Sequence, residues 1–124
     1  MATGKELGEF SFKVTSMTLI PGPGASVLTQ ANFEGTATSF GTAARTATFV
    51  TAGAKSGTYS VYGVAYLDNG ASGTGIGQGT FESSGHHKWR TQEFIPISDG
   101  RTLDMRGEID LAARSWTGKM FERS

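Results

Sequence analysis

The stretch Arg101-Thr-Leu-Asp-Met-Arg-Gly-Glu-Ile-Asp-Leu111 alternates between apolar and charged residues with a period of two. This alternation is typical of a strand with one buried and one solvated face, because successive side chains of a strand point to opposite sides. Similar stretches recur along the chain and are separated by turn signals rich in Gly and Pro. The turn signals are Pro21-Gly22-Pro23-Gly24, Ser39-Phe40-Gly41, Asp68-Asn69-Gly70, Ser83-Ser84-Gly85 and Ser98-Asp99-Gly100.

Eight strands are predicted, over residues 8–20, 25–38, 42–52, 56–67, 71–83, 86–97, 100–111 and 114–122. The short connections favour an up-and-down meander, and about eight strands is the number at which a sheet closes into a small barrel. We therefore predict an all-β protein with a single domain over residues 1–124. Its expected fold is an eight-stranded antiparallel up-and-down β-barrel with a small apolar lumen.

Composition narrows the class of protein. The 124 residues include no Cys, which excludes disulfides and thiol catalysis, and the 11 basic and 11 acidic side chains balance. The sequence lacks the basic stripe that would indicate nucleic-acid binding, so no nucleic-acid partner is expected. It also lacks an apolar run near the ~20 residues that span a bilayer, so no membrane partner is expected. The N-terminal residues carry acids and lack the apolar region of a secretory signal, so a cytoplasmic location is expected. We predict no cofactor and no metal, because the adjacent His86 and His87 cannot easily share an ion.

Hairpin register predicts which side chains share the inner face of the barrel. The expected partners are Leu67 with Ala71, Ile97 with Arg101, Leu111 with Arg114, Ile109 with Trp116, Met105 with Met120, and Phe81 or Glu82 with a residue near His86. These registers place one set of residues inside the barrel. The set is Tyr59, Val61, Ala65, Trp89, Thr91, Ile95, Leu103, Met105, Ile109, Leu111, Trp116 and Met120.

Gly73, Gly75, Gly77 and Gly79 fall on the same inner face, so one strand presents bare backbone to the interior. Either the rings of Trp89 and Tyr59 lie over that backbone, or a cavity stays open there. A phosphate-binding loop would need a helix directly after the glycines, and the sequence that follows them is no helix start.

Glu93 is the main candidate for a catalytic residue. It lies an even number of positions from Trp89 and Ile95 in the same strand, so its carboxylate is expected to point into the apolar lumen. An unpaired buried carboxylate is expected to hold a proton near neutral pH, which suits a general acid or base. The alternatives are a slip that returns Glu93 to solvent and a lumenal Arg or Tyr that satisfies it structurally. Five residues are expected to shape the surrounding pocket: Tyr59, Trp89, Met105, Trp116 and Met120.

Two further faces carry predictions. In the second strand, Gln30, Asn32 and Glu34 alternate with apolar residues, and no clean turn fixes which set lines the lumen. Asn32 and Glu34 are therefore candidate ligand contacts, although an outward polar face is the commoner arrangement. On the opposite side of the later strands an exposed apolar patch predicts a homo-oligomer, a dimer or trimer. The patch comprises Tyr62, Val64, Tyr66, Ile76 and Phe94.

Five short segments, in this order and spacing, give the chain a resemblance over roughly residues 9 to 122. They are Phe10-Ser-Phe-Lys-Val14, Asn32-Phe-Glu-Gly35, Lys55-Ser-Gly-Thr-Tyr-Ser60, Gly77-Gln-Gly-Thr-Phe81 and Met105-Arg-Gly-Glu-Ile109. The chain resembles the allene oxide cyclase barrel superfamily, especially its small bacterial branch. That resemblance implies an eight-stranded barrel, often oligomeric, with an apolar cavity that promotes cyclisation by holding the shape of its substrate.

Three functions follow as hypotheses. The first is an isomerase or cyclase that confines a small apolar molecule in the lumen, with Glu93 as acid or base. The second is a barrel that binds such a molecule without turnover. The third is a structural or assembly module with a filled lumen. A lumen of ~300 Å³ or more favours the first two.

Overall fold

Antiparallel pairing continues around the whole barrel. The computed structural model describes residues 4–50 and 55–123. Its strands are β1 (Glu6–Pro21), β2 (Val27–Ala37), β3 (Gly41–Val50), β4 (Ser56–Tyr66), β5 (Ser72–Gly85), β6 (Lys88–Pro96), β7 (Thr102–Asp110) and β8 (Ser115–Glu122). Each strand pairs with the next, and β8 pairs with β1. The predicted closed, up-and-down, eight-stranded barrel is confirmed.

Most of the predicted registers are confirmed. Ile109 lies opposite Trp116 and Met105 lies opposite Met120. The N–H of Leu67 donates to the carbonyl of Ala71, and the N–H of Ile97 donates to the carbonyl of Arg101, both at 2.9 Å. These turns combine Gly with Asp or Asn, residue types that favour loops of one narrow length. The loop length in turn determines which side chains of the following strand face inward.

The β5–β6 turn differs from its prediction. Ser83-Ser84-Gly85 continues β5 through a bulge between Ser83 and Gly85, and the chain reverses at His86-His87 instead. Phe81 consequently faces Thr91, and the expected partner near His86 is wrong. A bulge accommodates one unpaired residue, so polar residues and Gly that are typical of turns can also occur within a strand.

The predicted pairing of Leu111 with Arg114 is confirmed, because the Arg114 N–H donates to the Leu111 carbonyl at 3.1 Å, but the predicted place of Leu111 on the inner face is wrong. β7 ends at Asp110, which lies opposite Ser115, and Leu111 begins the turn with 37% of its surface exposed. An Asp110 carboxylate oxygen accepts the N–H of Ala113 at 3.3 Å. This side-chain bond closes the turn immediately after the last strand residue, which is the usual role of Asp in turns.

Aromatic rings fill one half of the lumen. Phe33 and Trp116 meet with their ring centroids 4.9 Å apart, and Phe49 lies 5.0 Å from Tyr59. Phe81 contacts Phe49 edge-on at 5.7 Å. These five residues are called the aromatic half below. Offset and edge-to-face contacts of this kind stabilise a core beyond the area they bury.

The glycines of β5 divide between the two predicted alternatives, with Tyr59 and Ile95, rather than Trp89, against the closely packed part. A Cβ placed on Gly79 would lie 2.5 Å from the Tyr59 ring, and one on Gly75 would lie 2.9 Å from the Ile95 side chain. At Gly73 the nearest atom would be 3.6 Å away. The glycines therefore allow neighbouring side chains to pack against the backbone along most of β5. At the start of β5, beside Gly73, the space is open.

Candidate functional site

A cavity of about 310 Å³ occupies the other half of the lumen, at the end formed by the turns 38–40, 67–71 and 97–101. Inward-facing residues of several strands line it, and most of them are apolar. They include Phe12, Ala43, Ala65, Leu103, Met105 and Met120. The alternation of each strand sends these small and flexible side chains inward, and the absence of a side chain at Gly73 leaves further space.

Phe40 and Arg101 lie beside each other at the mouth of this cavity. The guanidinium carbon of Arg101 is 5.4 Å from the centre of the Phe40 ring. Arg101 also donates to Asp99, with Nη2 and Oδ2 2.7 Å apart, and this bond holds the pKa of the Asp99 carboxyl below its usual value. The mouth is therefore polar on one side, while the interior behind it is apolar.

Arg45 forms the polar part of the cavity wall. It extends inward from β3, is only 6% exposed, and donates from Nη2 to the Glu93 carboxylate. Its guanidinium carbon lies 4.6 Å from the centre of the Trp116 ring and 5.3 Å from that of Phe12. In the described part of the chain, Nη1 is buried and has no hydrogen-bond partner.

Glu93 is buried, as its parity predicts, but it is paired. Oε2 accepts from Arg45, and Oε1 accepts from the Tyr59 hydroxyl at 2.8 Å. The expectation of an unpaired acid is wrong, and the alternative of a carboxylate satisfied by a lumenal Arg or Tyr is the arrangement found. Arg45 supplies the cation that pairs with this carboxylate. Glu93 is not among the residues that line the cavity.

Tyr59 and Trp116 extend the polar network into the aromatic half. Burial, and then the negative charge of Glu93, raise the pKa of Tyr59 well above its ordinary value. The Trp116 indole N–H donates to the Thr91 hydroxyl at 3.0 Å, and Thr91 in turn hydrogen-bonds Tyr59. The hydroxyls and the indole nitrogen therefore have partners despite their burial, as buried polar groups generally require.

The predicted pocket residues divide between the two halves of the barrel. Met105 and Met120 line the cavity. Tyr59 and Trp116 lie in the aromatic half, and the partly buried Trp89 packs against the core without lining the cavity. Parity gave the correct face for all five, but it cannot show how far along the barrel axis each side chain lies.

Asn32 and Glu34 lie on the outer face of β2, so they do not line the lumen. The inward positions of that strand are Thr29, Ala31 and Phe33, which are buried. Asn32 accepts from the Thr46 hydroxyl at 2.6 Å and donates to Ser16 at 2.7 Å. Glu34 is exposed. The polar set of β2 thus follows the commoner arrangement, with its polar residues toward solvent.

Arg45 was missed by the sequence analysis. It is the one charged residue between Gly41 and Val50, and it shares parity with the inward-facing Ala43, Ala47 and Phe49. A lone charge within the apolar face of a strand is the signal that could have identified it, because buried charges need a partner.

Other kinds of site find little support in the residues described. His86 and His87 form the turn after β5, and no three His, Asp or Glu residues within 4–50 and 55–123 could together hold a metal ion. That part of the chain also contains no helix of the length and hydrophobicity needed to cross a membrane. In comparisons with known proteins, no family model, no curated protein and no solved structure matched the chain.

Proposed function

We propose that this barrel binds a small apolar molecule in its cavity. The observation that carries the proposal is the unfilled, mostly apolar space of about 310 Å³ beside a packed aromatic half. Ligand pockets are typically concave spaces of this size or larger, lined by apolar groups with a few polar ones to fix orientation. A structural module would not need an open lumen, since empty apolar space costs stability.

The placement of Glu93 favours binding over acid–base catalysis. A general acid or base must reach its proton within hydrogen-bond distance, whereas both Glu93 oxygens bond to Arg45 and Tyr59 behind the cavity wall. An isomerase or cyclase of the kind the resemblance implies would work here through confinement of its substrate. A turnover assay on polyunsaturated and epoxide substrates separates the two: product formation supports an isomerase or cyclase, and binding without product supports a binding barrel.

Nuclear magnetic resonance of the methionine methyl groups tests the binding proposal directly. Tetralin, a compact bicyclic hydrocarbon, should shift the methyl signals of Met105 and Met120, which line the cavity. Met17 lies on the outer surface, 45% exposed, and serves as the internal reference. Tetralin binding that leaves the Met105 and Met120 signals unchanged, or moves Met17 equally, would contradict the proposal.

A matched pair of variants locates the binding. Ala65 points into the cavity from β4, so Ala65→Phe should fill the space and abolish the shifts. Thr58 is exposed on the outer side of the same strand, and Thr58→Phe should preserve them. Equal loss in both variants would indicate damage to the fold rather than blockage of the site.

We further propose that a second copy of the chain covers an uncharged outer face. Among residues 41–50, 56–66 and 72–80, Arg45 alone is charged, and it points inward. The outer side of these strands instead exposes apolar residues, namely Tyr62, Tyr66 and Ile76. Two copies of such a face can meet without bringing like charges together, and contiguous exposed apolar surface usually marks an interface.

A further inference from the structure

We infer that the cavity takes an uncharged ligand with a carbonyl oxygen, and that this oxygen accepts a hydrogen bond from Nη1 of Arg45. The inference rests on the proposed binding function and deepens it. It specifies the polar group of the ligand and the side-chain atom that recognises it.

The unsatisfied nitrogen of Arg45 is the first support. A guanidinium carries five N–H donors, and a buried donor without a partner costs free energy. Nη2 of Arg45 bonds to Glu93, whereas Nη1 has no partner in the described part of the chain. Arg45 also lines the cavity, so a bound molecule that carries an acceptor would lie beside this guanidinium.

The surroundings of Arg45 keep its guanidinium in place. Glu93 holds one side, and the rings of Trp116 and Phe12 lie 4.6 Å and 5.3 Å from the guanidinium carbon. The ion pair on one side and the aromatic rings around it limit the freedom of the planar guanidinium. A ligand therefore meets a donor that is already oriented, which reduces the entropy lost on binding.

Charge balance selects a neutral acceptor. Arg45 and Glu93 together carry no net charge, and their pairing is buried. A carboxylate on the ligand would add an uncompensated negative charge beside this buried pair, which is costly. An ammonium group would meet another donor. A ketone, ester or amide carbonyl satisfies Nη1 and leaves the charge balance unchanged.

Three rigid probes of similar shape test the inference by isothermal titration calorimetry. They are 1-tetralone, which has the carbonyl; tetralin, which lacks it; and 1,2,3,4-tetrahydro-1-naphthoate, which is anionic. A hydrogen bond to a charged donor should make 1-tetralone bind at least about tenfold more tightly than tetralin. The naphthoate should bind more weakly than 1-tetralone. Infrared spectra should show the carbonyl stretch of bound 1-tetralone at lower frequency than in an apolar solvent.

Variants assign the preference to Arg45. Arg45→Met alone would leave the Glu93 carboxylate buried without its cation and is expected to unfold the protein. The double variant Arg45→Met, Glu93→Gln removes both charges while retaining a partner for Tyr59. It should bind 1-tetralone and tetralin equally well.

The outcomes separate the inference from the proposed function. If tetralin binds in the cavity as tightly as 1-tetralone, the inference is overturned and the binding function stands. Tightest binding by the naphthoate would also overturn it, because the site would then prefer an anion. A preference for 1-tetralone that survives in the double variant would assign recognition to another group. If none of the probes moves the Met105 or Met120 signals, the proposed function fails as well.

Discussion

Arg45, Glu93 and Tyr59 bring two charges and a hydroxyl into a barrel whose interior is otherwise mostly apolar. A buried ion pair stabilises a fold little, because desolvation of both charges offsets their attraction. Removing one partner is nevertheless costly, since the other charge remains buried. The network therefore adds little net stability, and it fixes the position of Arg45, the one of the three residues that lines the cavity.

Tyr59 should make the stability of the barrel sensitive to alkaline pH. Its folded-state pKa lies above the ordinary 10.0, so its contribution is fully present below pH 10 and is lost as pH rises further. The free energy of unfolding should then fall by about 1.4 kcal/mol per pH unit from this group. Urea unfolding between pH 8 and pH 11 measures the slope.

Tyr59→Phe provides the comparison. The variant should lose about 1.5–3 kcal/mol near pH 8, from the hydrogen bond to Glu93, and should lack the alkaline slope of Tyr59. Tyr62→Phe, at an exposed tyrosine, is the control and should follow the wild type. If the unfolding free energy of Tyr59→Phe fell with pH as steeply as that of the wild type above pH 10, this account would be contradicted.

Gly79 and Gly73 form a matched pair for testing close packing in β5. A Cβ on Gly79 would lie 2.5 Å from the Tyr59 ring and 2.6 Å from the Gln92 carbonyl oxygen, whereas one on Gly73 meets nothing closer than 3.6 Å. Gly79→Ala should destabilise the protein by about 1–3 kcal/mol through overpacking, and Gly73→Ala should be nearly neutral or stabilising. Thermal unfolding of the two variants measures the difference. Similar stabilities would show that Tyr59 moves aside freely.

At the scale of the strands, the residue types in each turn determined whether strand register could be predicted from the sequence. Asp68-Asn69-Gly70 and Ser98-Asp99-Gly100 predicted the correct registers because the loop length of such turns is narrowly defined. Ser83-Ser84-Gly85 was misassigned because the same residue types suit a bulge. The face of β2 stayed open because no turn of known geometry precedes it. The residue types of the turns therefore predicted the order and pairing of the strands well. They predicted the residues at which individual strands end less well.

The β5–β6 turn offers a test of backbone strain. His87 has a φ of 56°, a left-handed conformation that costs a non-glycine residue about 1 kcal/mol, whereas the φ of its neighbour His86 is not positive. His87→Gly should raise the free energy of unfolding by up to about 1 kcal/mol, and His86→Gly should lower it through added chain entropy. Urea unfolding compares the two variants. Stabilisation by His86→Gly, or destabilisation by His87→Gly, would contradict the assigned turn.

On the scale of the whole molecule, the barrel and its apolar interior were predictable, but the division of that interior into two halves was not. Alternation assigns a side chain to the inner or outer face and leaves its depth along the barrel axis undefined. Met105 and Trp116 were both correctly assigned to the inside, yet only Met105 reaches the cavity. Arg45 was overlooked because its partner, Glu93, lies three strands away and 48 residues further along the chain.

The uncharged outer face predicts self-association. Ile76 is 65% exposed on this face, so Ile76→Lys should place like charges together in a symmetric contact and shift the protein toward monomer. Sedimentation velocity over a range of concentrations measures the change. Thr117→Lys, at an exposed position of β8 outside that face, is the control and should keep the assembly of the wild type. A wild-type protein that is already monomeric would contradict the proposed interface.

Because aromatic rings fill one half of the lumen, a bound molecule would affect the rate of hydrogen exchange mainly at the other end of the barrel. A molecule in the cavity would lie against the turns 38–40, 67–71 and 97–101, beside Phe40 and Arg101. Occupancy of the cavity should therefore slow hydrogen exchange in these three turns more than in the turn at His86 and His87, which does not line the cavity.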